Sequence, residues 1–305
     1  MTENKSERTK DELEQLLKEK QIYLKDLEKR GKDSNYIKQL SYVALTQLQL
    51  EQFSEAEKNY LICLKHFEKQ KDRLGQADVY GIMGTLFFEK GEYLTSIEFY
   101  QKAYNIYYDL SQISEQITCL KGIGTSYIKL NKLDEACDIF LDCSAICSDN
   151  NDIYNLLDCL GSLIYIHESY EQWDIVFELY KKILRAFKEI RDFKGIITSY
   201  FNLGILQKKN SKVEEALRYF KKGTNIAIES NYSELIIKGL SYIGETLFYI
   251  GEIKNAKDQF IKALNIANKV NAENAKIQLR VLLKSLGLKD KDIYEELRKY
   301  EENRK

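Results

Sequence analysis

The 305-residue sequence contains no proline and only two histidines, and each shortage narrows what the chain can be. Proline removes a backbone amide and blocks helix continuation, so a chain without it can form long uninterrupted helices. Acid–base or nucleophilic catalysis needs a partner group within hydrogen-bond reach, and neither His66 nor His167 belongs to a recognisable dyad or triad. The sequence therefore predicts a protein that is not an enzyme and that needs no cofactor.

Excess charge of one sign and long apolar runs are also missing. The chain has 46 Lys and Arg against 47 Asp and Glu, which gives a formal net charge of −1 and a pI of about 6.3. A nucleic-acid-binding protein calls for a basic stripe and a high pI, so nucleic acid is not an expected partner. No run of 18 apolar residues exists, and the charged residues 1–5 precede no apolar segment. We therefore expect no membrane span, no signal peptide and a cytoplasmic location.

The six cysteines do not form any C-x2-C pair. Cys119 and Cys159 stand 40 residues apart, as two copies of one packing position would. Cys143 and Cys147 are four residues apart on one predicted helix face and could share a metal ion, but no third ligand lies nearby in the sequence. Free cysteine behaves as a small buried hydrophobic residue, so we interpret all six as reduced core thiols and predict no metal site.

What the chain does contain is a 40-residue repeat, present in six copies without insertion or deletion from about residue 36 to residue 275. Five positions of the repeat keep their residue type, and two of them define it best. A mostly small residue marks each copy, and we call it the landmark: Ala44, Gly84, Gly124, Ile164, Gly204 and Gly244. An aromatic residue follows each landmark by sixteen: Tyr60, Tyr100, Phe140, Tyr180, Phe220 and Phe260. Self-similarity at this period indicates a solenoid of stacked supersecondary units.

Apolar residues recur at three and four residues within each copy, which is the spacing of one helix face. A short polar break divides the copy, as in Lys90-Gly91-Glu92, where glycine can take the left-handed conformation that ends a helix. Each repeat is therefore predicted to be helix A, a tight turn and helix B. The small landmark on helix A lets helix B approach closely, and the aromatic residue fills the space beside it.

The motif that these positions form resembles the tetratricopeptide repeat, W-x2-L-G-x2-Y followed by A-x3-F. Repeat six reads Leu240-x2-Ile243-Gly244-x2-Leu247 and then Ala256-x3-Phe260. The resemblance implies an all-α, right-handed superhelical solenoid of helix-turn-helix repeats. The period of 40 rather than 34 is similar to a subclass found in Pins-type adaptors, kinesin light chains and bacterial peptide-sensing regulators. Repeat four departs most, with Ile164 as landmark and His167 at an aromatic position.

The sequence on either side of the repeats predicts terminal caps. We expect residues 1–35 to form a charged capping helix, residues 36–275 the six repeats and residues 276–305 the C-terminal capping helices. Residues 272–286 copy a seventh helix A, and a further helix is expected near 290–303. The N-terminal helix has leucines at spacings compatible with a coiled-coil seam, namely Leu13, Leu17, Leu24 and Leu27. A cap over repeat one is the favoured interpretation, and a homodimer through this helix is the alternative.

The resemblance also implies where a ligand binds, because the A helices of such arrays line a concave groove. The columns two, three and six residues before each landmark, and one, four and five after it, are expected to face that ligand. The site residues expected from these columns are Lys38, Tyr42, Phe88, Lys121, Thr125, Tyr165, Phe201, Asn202, Lys208, Lys238, Tyr242 and Phe248. Aromatic anchors with lysines suit a peptide that carries acidic side chains.

Two recognition patterns of related arrays test poorly. Asparagines at the Asn202 column hydrogen-bond a bound peptide in the 40-residue adaptors, but only repeat five has one. The dicarboxylate clamp of chaperone-binding arrays needs a lysine and an asparagine four apart, and Lys121 is followed by Thr125 instead. The sequence thus predicts a protein-interaction scaffold that binds an unidentified protein or peptide. The alternative is a regulatory sensor that binds a short signalling peptide and controls a separate effector.

Overall fold

A computed structural model describes residues 9–31 and 33–302. These residues form fifteen α-helices and no β-strand. Residues 1–5, on which the signal-peptide prediction depends, lie outside the described part. No helix within the described ranges combines the length and the apolar character that crossing a membrane requires. The helices are α1 Lys10–Arg30, α2 Ser34–Gln49, α3 Phe53–Gln70, α4 Arg73–Glu89, α5 Tyr93–Asp109, α6 Ile113–Lys129, α7 Leu133–Asp149, α8 Ile153–Ser169, α9 Trp173–Glu189, α10 Phe193–Lys209, α11 Val213–Glu229, α12 Ser233–Tyr249, α13 Ile253–Lys269, α14 Glu273–Ser285 and α15 Asp290–Glu302.

Helices α2 to α13 are the six predicted pairs, with even numbers as helix A and odd numbers as helix B. The prediction of an all-α helical repeat is confirmed. The structure adds a finer rhythm, because a helix begins every 20 residues from Phe53 to Glu273. Each repeat therefore consists of two halves of equal length.

One left-handed residue ends each helix in this rhythm. The two predicted glycines, Gly91 and Gly251, have φ values of 79° and 82°. Non-glycine residues take φ between 53° and 60° at the other turns: Glu51, Lys71, Ser111, Asn131, Asn151, Glu171, Arg191, Ser211, Asn231 and Asn271. At the first glycine turn, the Glu92 amide donates to the Phe87 carbonyl and the Gly91 amide to the Phe88 carbonyl, both at 2.9 Å. This is a Schellman motif, which satisfies carbonyls that the helix end leaves without partners.

The chain divides into two compact units, residues 1–159 and residues 160–305, and the division falls within helix α8 of repeat four. In the first unit, the aromatic rings of Tyr100 and Phe140 lie directly against the landmarks. A Cβ atom added to Gly84 or Gly124 would stand 2.7 Å from the facing ring. The predicted role of the small landmark is confirmed here, because any larger residue would collide with the ring.

The second unit repeats this packing in its last two repeats. A Cβ atom on Gly204 would lie 2.5 Å from the Phe220 ring, and one on Gly244 would lie 2.5 Å from the Phe260 ring. Repeat four differs, because its landmark is Ile164 and its aromatic, Tyr180, is only half-buried. The change in superhelix angle that the sequence predicts at this repeat stays a prediction, as does the right-handed sense of the superhelix.

Helix α1 packs against α2 and caps the first unit. Leu17 and Leu27 of α1 are buried, and the Gln39 side-chain amide of α2 donates to the Lys20 carbonyl at 3.1 Å. These leucines pack within the chain itself, which agrees with the cap interpretation. A homodimer through the same leucine seam is not supported.

Helices α14 and α15 close the second unit. Leu283 of α14 and Ile293 of α15 are fully buried, and both join a core cluster that also contains Phe260 of repeat six. Lys257 of α13 donates to the Glu296 carboxylate of α15 at 2.9 Å. Hydrogen bonding to Lys257 holds the pKa of Glu296 below its usual range. The last helix is thus attached by both apolar packing and an ion pair.

Candidate functional site

The outward face of the A helices is regular in both units. Successive A helices contact one another, α4 with α6 in the first unit and α10 with α12 in the second. The residue six before the landmark is exposed in every repeat: Lys38, Asp78, Thr118, Asp158, Thr198 and Lys238. The residue five after it is exposed as well: Gln49, Glu89, Lys129, Ser169, Lys209 and Tyr249. These two columns mark the stripe of each A helix that a ligand can reach.

The twelve predicted site residues divide into three groups by exposure. Five are exposed: Lys38, Tyr42, Tyr165, Lys238 and Phe248. Six are half-buried: Phe88, Lys121, Thr125, Asn202, Lys208 and Tyr242. Phe201 is buried, with only 2% of its surface exposed.

The prediction that Phe201 anchors a ligand is wrong. Its ring packs inward, and a Cβ atom on Gly223 of α11 or on Gly239 of α12 would stand 2.7 or 2.8 Å from it. It also meets the Tyr242 ring edge to face, with 5.5 Å between ring centres. Two small residues on neighbouring helices open this space, so the column assignment alone could not place the ring.

Lys121 already has acidic and polar partners within the first unit. Its ammonium donates to Asp158 Oδ2 at 2.6 Å and to Asn155 Oδ1 at 2.8 Å. The Thr125 hydroxyl donates to the Lys121 carbonyl at 2.7 Å. Lys121 therefore links helices α6 and α8, and an acidic ligand would have to compete with Asp158 for it.

Tyr42 is partly covered by the N-terminal cap. The Lys20 ammonium lies 5.0 Å from the centre of the Tyr42 ring, a cation–π contact. It also donates to the Tyr42 carbonyl at 3.5 Å. At repeat one, helix α1 thus occupies part of the face that the resemblance assigns to a ligand.

The deepest groove on the A-helix face lies in the second unit, between α12 and α14, and has a volume of about 660 Å³. It is lined by Glu234, Ile237, Lys238, Ser241, Tyr242, Glu245, Ala275, Ile277, Gln278, Leu279, Val281 and Leu282. We call it the α12–α14 groove. Two of the predicted residues, Lys238 and Tyr242, form part of its wall. The Tyr242 ring is held by stacking on Phe220, with 5.1 Å between centres.

The α12–α14 groove combines apolar walls with charged groups. Ile277 and Val281 of α14 are 62% and 61% exposed, an unusual exposure for two aliphatic residues four apart on one helix face. Glu234, Glu245 and Lys238 stand on the α12 side. Sequence reasoning missed the α14 wall because it treated that helix as a cap. The spacing of Ile277 and Val281 was the signal that could have revealed it.

Comparison with known proteins identifies the repeat. A family model for the tetratricopeptide repeat matches residues 77–110, which span helices α4 and α5 of repeat two. The chain is a tetratricopeptide-repeat protein. It is 27% identical over 149 residues to regulatory protein RapD of Bacillus subtilis (strain 168), covering 48% of this chain and 42% of RapD.

A second tetratricopeptide-repeat relative and a solved structure extend the likeness. TPR repeat-containing protein MJ1428 of Methanocaldococcus jannaschii is 22% identical over 224 residues, covering 70% of this chain and 36% of the relative. The chain thus spans less than half the length of either curated relative. The crystal structure of aspartyl phosphate phosphatase F from Bacillus subtilis matches with a TM-score of 0.52 at 14% identity, covering 84% of this chain and 71% of that one. At this identity the likeness concerns the fold alone.

The structure of this tetratricopeptide-repeat protein also gathers three cysteines. Five of the six cysteines are buried and Cys137 is half-buried, so the prediction of core thiols is confirmed for five. The Sγ atoms of Cys143, Cys147 and Cys159 all lie within 4.8 Å of one another. Burial raises the pKa of Cys147 to about 12, and hydrogen bonding with Cys159 raises that of Cys143. The third thiol comes from α8, which is why the sequence spacing on α7 alone did not reveal it.

Proposed function

We propose that this chain is a non-catalytic interaction scaffold that binds a peptide segment of a partner protein in the α12–α14 groove. The observation that carries the proposal is the pair of exposed aliphatic side chains, Ile277 and Val281, beside Tyr242 in a groove of about 660 Å³. Burial of each aliphatic side chain is worth about 1.5–3 kcal/mol, which gives a ligand a reason to dock here. In this proposal the partner is met in the cytoplasm.

The lining of the groove defines the peptide that fits it. Ile277 and Val281 lie on one face of α14, so a partner helix with aliphatic or aromatic residues three and four apart can pack along them. Lys238 can pair with an acidic side chain of the peptide, and Glu245 with a basic one. Because the groove carries charges of both signs, we expect an amphipathic peptide rather than a strongly acidic one. This changes the earlier expectation of a peptide recognised mainly through lysines.

A panning experiment with a phage-displayed random peptide library on the purified chain tests this proposal. Selected peptides are synthesised, and their affinities are measured by fluorescence anisotropy against the wild type and Val281→Glu. The substitution removes an apolar contact and buries a charge, so affinity should fall at least about tenfold. Leu94→Glu is the matched control, because Leu94 is 60% exposed on the B helix α5, outside the groove.

The outcome decides between the groove and the rest of the surface. Peptides that lose affinity for Val281→Glu and keep it for Leu94→Glu support the proposal. Peptides that bind Val281→Glu as tightly as the wild type would place the binding surface elsewhere.

The likeness to RapD favours a second candidate, a regulatory sensor of short peptides. RapD is named a regulatory protein, and its aligned part covers about half of this chain. A sensor should be stabilised by a short peptide alone, by about 2.7 kcal/mol at a ligand concentration of 100 times Kd. A scaffold should instead retain a protein partner in stoichiometric amount from a cell lysate. Melting curves with the selected peptides and an affinity capture therefore separate the two roles.

A further inference from the structure

The strongest cluster of reactive side chains outside the α12–α14 groove is formed by Cys143 and Cys147 of α7 and Cys159 of α8. All three are fully buried, and their Sγ atoms lie within 4.8 Å of one another. Within the described residues, this is the one set of three or more Cys, His, Asp or Glu side chains whose ligand atoms gather so closely. We propose that these three thiolates bind a single soft metal ion, copper(I).

Packing explains single cysteines in this fold but does not explain three together. Cys63 occupies in repeat one the position that Cys143 occupies in repeat three. Their Sγ atoms make the same contact, donating to the Ile37 carbonyl at 3.7 Å and to the Ile117 carbonyl at 3.8 Å. The positions in repeat one that correspond to Cys147 and Cys159, however, hold Phe67 and Val79.

The same comparison with the repeat-two positions gives one thiol again. There the three equivalent residues are Ala103, Tyr107 and Cys119. The fold therefore accepts apolar or aromatic residues at each of these positions. Only the junction of α7 and α8 brings three sulfur atoms to one point.

The geometry suits a three-coordinate ion. Residues four apart on a helix share a face, so Cys143 and Cys147 offer two sulfurs side by side, and Cys159 supplies the third from the next helix. With metal–sulfur bonds of about 2.3 Å, three sulfurs around one ion stand about 4 Å apart, close to the spacing in the cluster. Small side-chain rotations are enough to reach it.

The number and type of ligands select the ion. Structural zinc takes four ligands in a tetrahedron, and the cluster has three ligands among the described residues. Soft thiolates select copper(I), which accepts three of them. Full burial keeps water from serving as a fourth ligand. The positive charge of Lys121, whose ammonium is 2.6 Å from Asp158 Oδ2 at the adjoining residue, offsets part of the negative charge of the thiolates.

The test is an anaerobic titration of the reduced full-length chain with copper(I) in competition with a chromophoric copper(I) chelator. We expect one copper(I) per chain and a near-ultraviolet thiolate-to-copper absorption band. Cys143→Ala, Cys147→Ala and Cys159→Ala should each weaken binding by more than the roughly 10–100-fold that loss of an outer contact costs. Cys63→Ala is the matched control and should bind copper(I) as the wild type does. A wild type that takes up no copper(I), or alanine variants that retain it, would overturn the proposal.

Two further measurements keep the test decisive if an alanine variant fails to fold. X-ray absorption of the copper-loaded wild type should show three sulfur ligands, and a count of two or four would contradict the three-thiolate site. A parallel titration with zinc in competition with a zinc chelator should leave the zinc with the chelator. Tight binding of one zinc per chain that depends on the same three cysteines would overturn the assignment to copper(I).

Discussion

Two glycines on helix α4 offer a sharp test of how the repeats pack, because the same substitution should have opposite effects three residues apart. A Cβ atom on Gly81 would meet only the Cβ atom of Ala103, at 4.0 Å, which is ordinary van der Waals contact. A Cβ atom on Gly84, the landmark of repeat two, would stand 2.7 Å from the Tyr100 ring. We therefore compare Gly81→Ala with Gly84→Ala.

The magnitudes follow from two competing terms. Alanine is about 0.8–1.0 kcal/mol better than glycine in a helix interior, and both variants gain this term. Gly84→Ala must also move the Tyr100 ring, at an overpacking cost of about 1–3 kcal/mol. That ring has little freedom, because its hydroxyl is 2.9 Å from the Thr85 hydroxyl and a Cβ atom on Gly122 would be 2.6 Å from its far side.

We expect Gly81→Ala to be about 1 kcal/mol more stable than the wild type and Gly84→Ala to be up to about 2 kcal/mol less stable. Thermal unfolding followed by circular dichroism measures this, since 1 kcal/mol shifts Tm by about 2–4 °C in a chain of 150–250 residues. The reasoning is refuted if Gly84→Ala melts at or above the temperature of Gly81→Ala. That result would mean that the landmark is small for a reason other than contact with the aromatic ring.

Two further predictions concern the second unit. Phe201→Ala should lower the free energy of unfolding by about 3–5 kcal/mol in urea titrations, because the ring is buried, whereas Phe248→Ala, at a residue 40% exposed, should cost much less; equal losses would show that Phe201 is not a core residue. The Lys257 contact lowers the pKa of Glu296, so its stabilisation is present above the unfolded pKa of about 4.5 and is lost as pH falls through the lower folded value. Melting temperatures between about pH 7 and pH 3 should therefore fall less steeply for Lys257→Met than for the wild type, and identical slopes would exclude this ion pair as a source of the pH dependence.

The candidate site was predictable only where exposure depends on the helix face alone. Lys38 and Lys238 are exposed as their column requires, since each follows from the 3.6-residue period of its own helix. Phe201 shares a column with exposed or half-buried residues, yet it is buried because Gly223 and Gly239 on other helices make room for its ring. The pairing of Lys121 with Asp158 likewise depends on a residue of the next repeat.

By itself, the sequence determined the repeat period, the helix pairs and the contact between each glycine landmark and its aromatic residue. These features depend on the periodicity of one helix and on a partner sixteen residues away, which recurs in every copy. Only the tertiary structure decided that Ile277 and Val281 stand opposite Tyr242, and that Cys159 joins Cys143 and Cys147. Those groups meet once, across different helices, so no repetition along the chain marks them. A contact that occurs in a single copy depends on how two particular helices pack, and periodicity carries no information about it.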